Sequence, residues 1–203
     1  MLKILYRLAS FRTYCSKMPL GAENSIVTIP LENLHVSRHI IPSHARYPNC
    51  AVQQKPLIIY HGAFQPSATA SQIEAHLRRI GVMEPQWRYS MYPFSHFHSN
   101  THEFLCISNG RARLCFGGEE NPDRVEAEVE KGDAMLVPAG VAHRLMDDFR
   151  GGFEMVGSYP KGGPQWDMCY GREGEEKAVQ RISTLEWLKR DPIYGDEGPA
   201  LKE

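Results

Sequence analysis

The chain has 203 residues, 42% of them hydrophobic and 23% charged, and its formal net charge is −1. That balance is too apolar and too weakly charged for a disordered chain. With 23 basic against 24 acidic residues, there is no field to gather nucleic acid or an anionic membrane surface. No run approaches the roughly 20 apolar residues of a membrane-spanning helix. The length suits one domain with one core.

In chain order, the first segment, 1–22, stands apart. It carries Lys3, Arg7, Arg12 and Lys17, and no acid occurs before Glu23. Basic, hydroxyl-bearing, acid-free sequence fits a mitochondrial presequence or a disordered tail, and Arg7 interrupts the apolar run that a secretory signal requires. The expected location is therefore mitochondrial or cytoplasmic rather than secreted, and residues 23–203 form the expected domain. The five cysteines (15, 50, 106, 115 and 169) form no C-x-x-C pair and read as reduced packing residues.

Ser25–Pro30 and Pro56–Tyr60 are short β-rich runs. Ser71–Ile80 predicts a helix, with Ser71 and Glu74 as its capping box, Ile73, Leu77 and Ile80 on one face and Gly81 to end it. From Trp87 the pattern changes. Trp87–Pro93, Glu103–Ser108, Ala112–Phe116, Val125–Glu130, Ala134–Pro138, Ala142–Met146 and Phe153–Tyr159 are β-prone runs separated by Asn-Gly, Gly-Gly and Pro-Gly type turns. Such spacing predicts an all-β antiparallel sandwich or barrel, with a core over about 50–160 and few peripheral helices. The remainder, 161–203, reads as a wrapping tail with a short helix around Thr184–Lys189.

The chemistry-bearing residues lie inside the β-rich half. In extended chain His96 and His98 point to one side, where two imidazoles can chelate a divalent ion. Glu103 shares a strand face with Leu105 and Ile107, and a carboxylate on a core face must be paired, protonated or metal-bound. The turn Pro138–Gly140 fixes where the chain re-enters the sheet, and so directs His143. Three neutral imidazoles and one carboxylate suit a first-row divalent metal with one or two positions left for water or substrate.

His96, His98, Glu103 and Gly110 spell HxHxxxxE, six residues, then Gly; Gly132, Pro138, Gly140 and His143 spell Gly, five residues, then PxGxxH. These resemble the two cupin motifs, with Asp147 where the family usually has Asn. The HSNTHE, GDAMLVPAGVAH and VGSYPKGGPQWDM stretches resemble the YjlB-type single-domain cupins from about Ala45 to Pro192. The resemblance implies an all-β jelly-roll barrel with a divalent metal (Fe, Mn, Ni, Zn or Cu) on His96, His98, Glu103 and His143. It implies dioxygenase-type chemistry first, with isomerisation, decarboxylation or non-catalytic binding of a metabolite as alternatives.

Glu103 and His102 are the catalytic candidates, with Tyr159 behind them. Beside Glu103 on a regular strand, His102 faces the opposite side and reaches the site only through a bulge. Trp87, Tyr89, Tyr92, Phe97 and Phe116 line a pocket or fill the barrel. Arg111 and Arg113 either meet an anionic substrate or carry surface charge. The expected substrate is a small anionic or oxygen-bearing molecule, and exposed strand edges favour a homodimer.

Overall fold

Short apolar runs divided by glycine turns leave the chain little choice but antiparallel strands, and these form two sheets. The computed structural model describes residues 27–203, so the presequence-like segment 1–22 and Cys15 lie outside the described residues. The strands are β1 (His35–His39), β2 (Leu57–His61), β3 (Met83–Tyr89), β4 (Glu103–Asn109), β5 (Arg111–Phe116), β6 (Val125–Glu130), β7 (Ala134–Val137), β8 (His143–Asp148) and β9 (Glu154–Pro160). Two helices, α1 (Ala70–Ile80) and α2 (Glu176–Ile182), are peripheral. The larger sheet has the order β1-β2-β7-β4-β9-β3 and the smaller β6-β5-β8, an all-β jelly roll as expected.

The core lies between the sheets. Leu105, Ile107, Met135, Val137 and Met155 of the larger sheet face Ala112, Leu114, Phe116 and Val129 of the smaller. The larger sheet is also buried on its outer face, where Ile58, Tyr60, Phe104, Cys106, Leu136 and Val156 meet Ile73 and Leu77 of α1 and Trp187, Leu188 and Ile193 of the tail. Burial on both faces explains why β4 reads as a continuous apolar run. Strand β6, with one wet face, alternates cleanly. Each large apolar side chain buried this way contributes about 1.5–3 kcal/mol. Cys50, Cys106, Cys115 and Cys169 are free and buried.

Four expectations shift. Helix α1 begins one residue earlier than predicted, and its capping box is Thr69 with Gln72, not Ser71 with Glu74. Both pairs satisfy the sequence rule, but Ser71 and Glu74 are instead held by Arg88, at 2.9 and 2.5 Å. Gly81 caps the C-terminus at φ 75°, as predicted. Strand β3 starts at Met83, ahead of Pro85, because it is an edge strand with a register shift between Pro85 and Trp87, where a missing N–H is tolerated. The tail helix is Glu176–Ile182, whereas Thr184–Lys189 is not helical: Leu185 and Trp187 are drawn into different apolar clusters, which outweighs the local helix signal. Between Ser25 and Pro30, the described residues make a bridge, Thr28 to Phe64, rather than a strand.

Candidate metal centre

His96 precedes β4 in a loop that pairs with the start of β8. The His96 N–H donates to the His143 carbonyl (3.3 Å) and the His143 N–H to the His96 carbonyl (2.9 Å), which sets their rings 4.3 Å apart. Two residues on, His98 returns to the same side, while Phe97 between them points into the cluster of Ala139, Cys169 and Ile182. The turn before His143 is fixed by Gly140, at φ 92°, whose Cβ would meet the Asn49 carbonyl at 3.0 Å. The Gly140 N–H donates to the His98 carbonyl at 2.8 Å, so the turn and the second histidine are tied directly.

Each of the three rings makes the same outer bond. His96 Nδ1 bonds the Phe94 carbonyl (3.2 Å), His143 Nδ1 bonds the Val141 carbonyl (3.0 Å), and His98 Nδ1 bonds the Asp167 carbonyl. A carbonyl only accepts, so each Nδ1 carries hydrogen, and in the neutral ring the lone pair is left on Nε2. One ring nitrogen from each histidine lies within 4.8 Å of the other two. Glu103, the first residue of β4, brings Oε1 to 3.4 Å from His98 Nε2 and Oε2 to 3.1 Å from His143 Nε2. Among the described residues Oε2 has no hydrogen-bond partner, although it is buried.

The electrostatics follow from enclosure. Burial, then the neighbouring His143, lowers the His96 pKa to about 3, keeping that ring neutral. Burial works against ionised Glu103, yet His98 and His143 hold its pKa well below the ordinary carboxylate value. For His98, burial is outweighed by the Glu103 charge, so its pKa rises. A buried carboxylate beside three converging ring nitrogens is a donor set that fits a divalent transition ion.

These groups open onto a cavity of about 280 Å³ walled by Trp87, Tyr89, Tyr92, Met155, Tyr159 and Trp166 among others. The Tyr159 hydroxyl donates to Glu103 Oε1 at 2.6 Å and accepts from Trp87 Nε1 at 3.1 Å. Burial, reinforced by the Glu103 charge, raises the phenol pKa, so Tyr159 keeps its hydrogen.

Residues 74–156 match the model of the cupin family. Over 165 residues the chain is 34% identical to "Uncharacterized protein YjlB" of Bacillus subtilis, covering 81% of this chain and 93% of that one. The chain belongs to the cupin family. Among solved structures, this cupin is similar to a mutant of the Bacillus subtilis oxalate decarboxylase OxdC (16% identity, 57% of this chain, 23% of that one, TM-score 0.31). Another is the WlaRB TDP-quinovose 3,4-ketoisomerase of Campylobacter jejuni (8% identity, 48% of this chain, 76% of that one, TM-score 0.34). This cupin spans less than a quarter of the decarboxylase chain.

Not every candidate reaches the cupin cavity. His102 is buried on the opposite side: Ala139 N–H donates to its Nδ1 (3.1 Å), its Nε2 bonds the Glu186 carbonyl (3.2 Å), and its ring meets Trp187. The pairing of Glu103 with Val137 is regular, so no bulge turns His102 inward, and a catalytic role for it is not supported. Arg111 is exposed and paired with Glu128 at 2.5 Å, and Arg113 lies on the same outward face of β5. Phe97 and Phe116 are core side chains rather than cavity wall, whereas Trp87, Tyr89 and Tyr92 do line it.

Two contributors went unpredicted. Trp166 stacks on Tyr159 (6.0 Å, 21°), and Asp167 supplies the carbonyl behind His98. The Asp167 carboxylate is itself fixed by Ser99 N–H (2.7 Å), Ser99 Oγ (2.5 Å) and Arg181 (2.8 Å). Nothing in local spacing marks residues that meet the site from 68 positions away.

Proposed function

We propose that this cupin is a divalent-metal-dependent enzyme for a small organic molecule, with His96, His98, Glu103 and His143 holding the ion and dioxygenation as the reaction. The observation supporting this reading is the convergence of three imidazole nitrogens on a buried carboxylate at the wall of an aromatic cavity. A bound divalent ion supplies Lewis acidity there and, as Fe²⁺, the electrons for O₂ chemistry.

The protein's own groups narrow the substrate. Glu103 cancels one of the two positive charges, which favours one oxyanion on the substrate. Among the described residues, Arg88 is the only lysine or arginine in the cavity wall, and Glu74 and Ser71 already occupy it. A second anionic group would therefore lack a partner. Trp87, Tyr159 and Trp166 offer flat faces that exclude water and stack on a ring. The substrate class is an apolar, preferably aromatic, body bearing a single ionisable oxygen, such as a phenol or an aromatic carboxylate.

The test begins with metal analysis of the purified protein, followed by O₂ uptake with Fe²⁺ across small carboxylates, thiols and phenols. The expected result is about one metal per chain and uptake supported by aromatic, singly anionic compounds. Turnover without O₂ consumption overturns dioxygenation in favour of isomerisation or decarboxylation, the reading favoured by the Tyr159 hydroxyl 2.6 Å from Glu103. Tight metabolite binding with no turnover on any metal marks a binding module. The homodimer belongs to the same proposal and is checked by sedimentation.

A further inference from the structure

The two oxygens of Glu103 are treated differently. Oε1 accepts the Tyr159 hydroxyl at 2.6 Å, while Oε2, 3.1 Å from His143 Nε2, has no hydrogen-bond partner among the described residues. The direction of the first bond is set from further out. Trp87 Nε1–H can only donate, and it donates to the Tyr159 oxygen at 3.1 Å. The phenol hydrogen then points to Glu103, which as a carboxylate can only accept.

Both partners are fixed in turn. The Trp87 ring lies over Gly157, where a Cβ would fall 2.0 Å from the indole. Tyr159, two residues further along β9 on the same face, stacks on Trp166 at 6.0 Å and 21°. One strand therefore supplies the gap for the indole and the hydroxyl that the indole orients.

We propose that Trp87 and Tyr159 are positioning residues that keep Glu103 a one-oxygen metal ligand, leaving open a coordination position that a two-oxygen carboxylate would fill. A carboxylate without such a restraint can offer one oxygen or both. The inference rests on the metal reading above and concerns how Glu103 binds, not whether the site binds. Substrate and co-substrate need adjacent vacant positions, so the restraint bears directly on how many reactants the site admits.

The test uses Mn²⁺-loaded full-length protein and counts exchangeable waters on the ion by water-proton relaxation. Tyr159→Phe keeps the ring and removes the donor. It is expected to bind Mn²⁺ stoichiometrically, about 10- to 100-fold more weakly than wild type, and to lose one exchangeable water. Trp87→Phe keeps the hydroxyl but not its orientation, and is expected to lose part of that water; it decides the question alone if Tyr159→Phe fails to fold. A packing role would lower the melting temperature and leave the water count unchanged. An unchanged count with metal bound overturns this inference and leaves the metal reading standing. Wild-type protein that takes up no Mn²⁺ overturns both.

Discussion

The histidines of the cavity and those behind the larger sheet are equally enclosed, yet they are bonded in opposite ways. In His96, His98 and His143, Nδ1 donates to a backbone carbonyl and Nε2 faces the shared centre. In His76 and His102 the pattern reverses. Nε2 donates to the carbonyls of Ile193 and Glu186, and Nδ1 accepts from Arg79 and from the Ala139 N–H. When neutral, the first group keeps a lone pair turned to the shared centre; the second has none. Burial alone therefore does not mark a ligand, but the nitrogen left over after the hydrogen bonds are assigned does.

The contrast is broken most directly by deleting rings. His96→Ala or His143→Ala is expected to weaken metal binding more than about 100-fold, beyond the 10–100-fold typical of outer partners, with the sheets intact by circular dichroism. Metal added at about 100 times its Kd should stabilise wild-type protein by about 2.7 kcal/mol and these variants by almost nothing. His102→Ala should do the reverse. It leaves the Ala139 N–H without its acceptor and opens a gap against Trp187, costing about 3 kcal/mol in urea unfolding while metal affinity shifts less than about 10-fold. Metal loss in His102→Ala would erase the distinction between the two regions.

Smaller changes sharpen it. Asp167→Asn keeps the carbonyl behind His98 but weakens the grip of Ser99 and Arg181 on that segment. An affinity loss of roughly 10-fold is expected by metal titration. The smallest effect concerns pH. Burial, then Arg79, lowers the His76 pKa from its ordinary value of 6.5. The unfolded chain then binds more protons than the folded one just below that value, so the contribution of His76 is present above it and fades as pH falls. The urea midpoint of metal-free protein should decline more steeply below pH 6.5 in wild type than in His76→Gln.

Much of the fold was legible because strands β4 to β9 are bounded by turn glycines at near-regular intervals, and β6 alternates without exception. The three histidines were legible for a related reason: His96 and His98 are neighbours in sequence, and His143 follows a Pro-Gly turn whose geometry is local. The cap of α1 was misplaced because two overlapping pairs satisfy one rule, and only the distant Arg88 chooses between them. The tail helix was misplaced because Leu185 and Trp187 answer to clusters on different sides of the sheet. Gly157 looks like an ordinary strand glycine until the Trp87 ring is seen lying across it. Trp166 and Asp167 carry no local signal at all.

The tail segment that carries Asp167 has a thermodynamic consequence. The carbonyl steadying His98 is tethered through Ser99 and Arg181, so under the proposed metal reading docking of this stretch and capture of an ion are linked equilibria. Whatever factor the docked stretch adds to ion affinity, the ion returns to docking in equal measure. Chain made some seventy residues after the first histidine thus completes the centre.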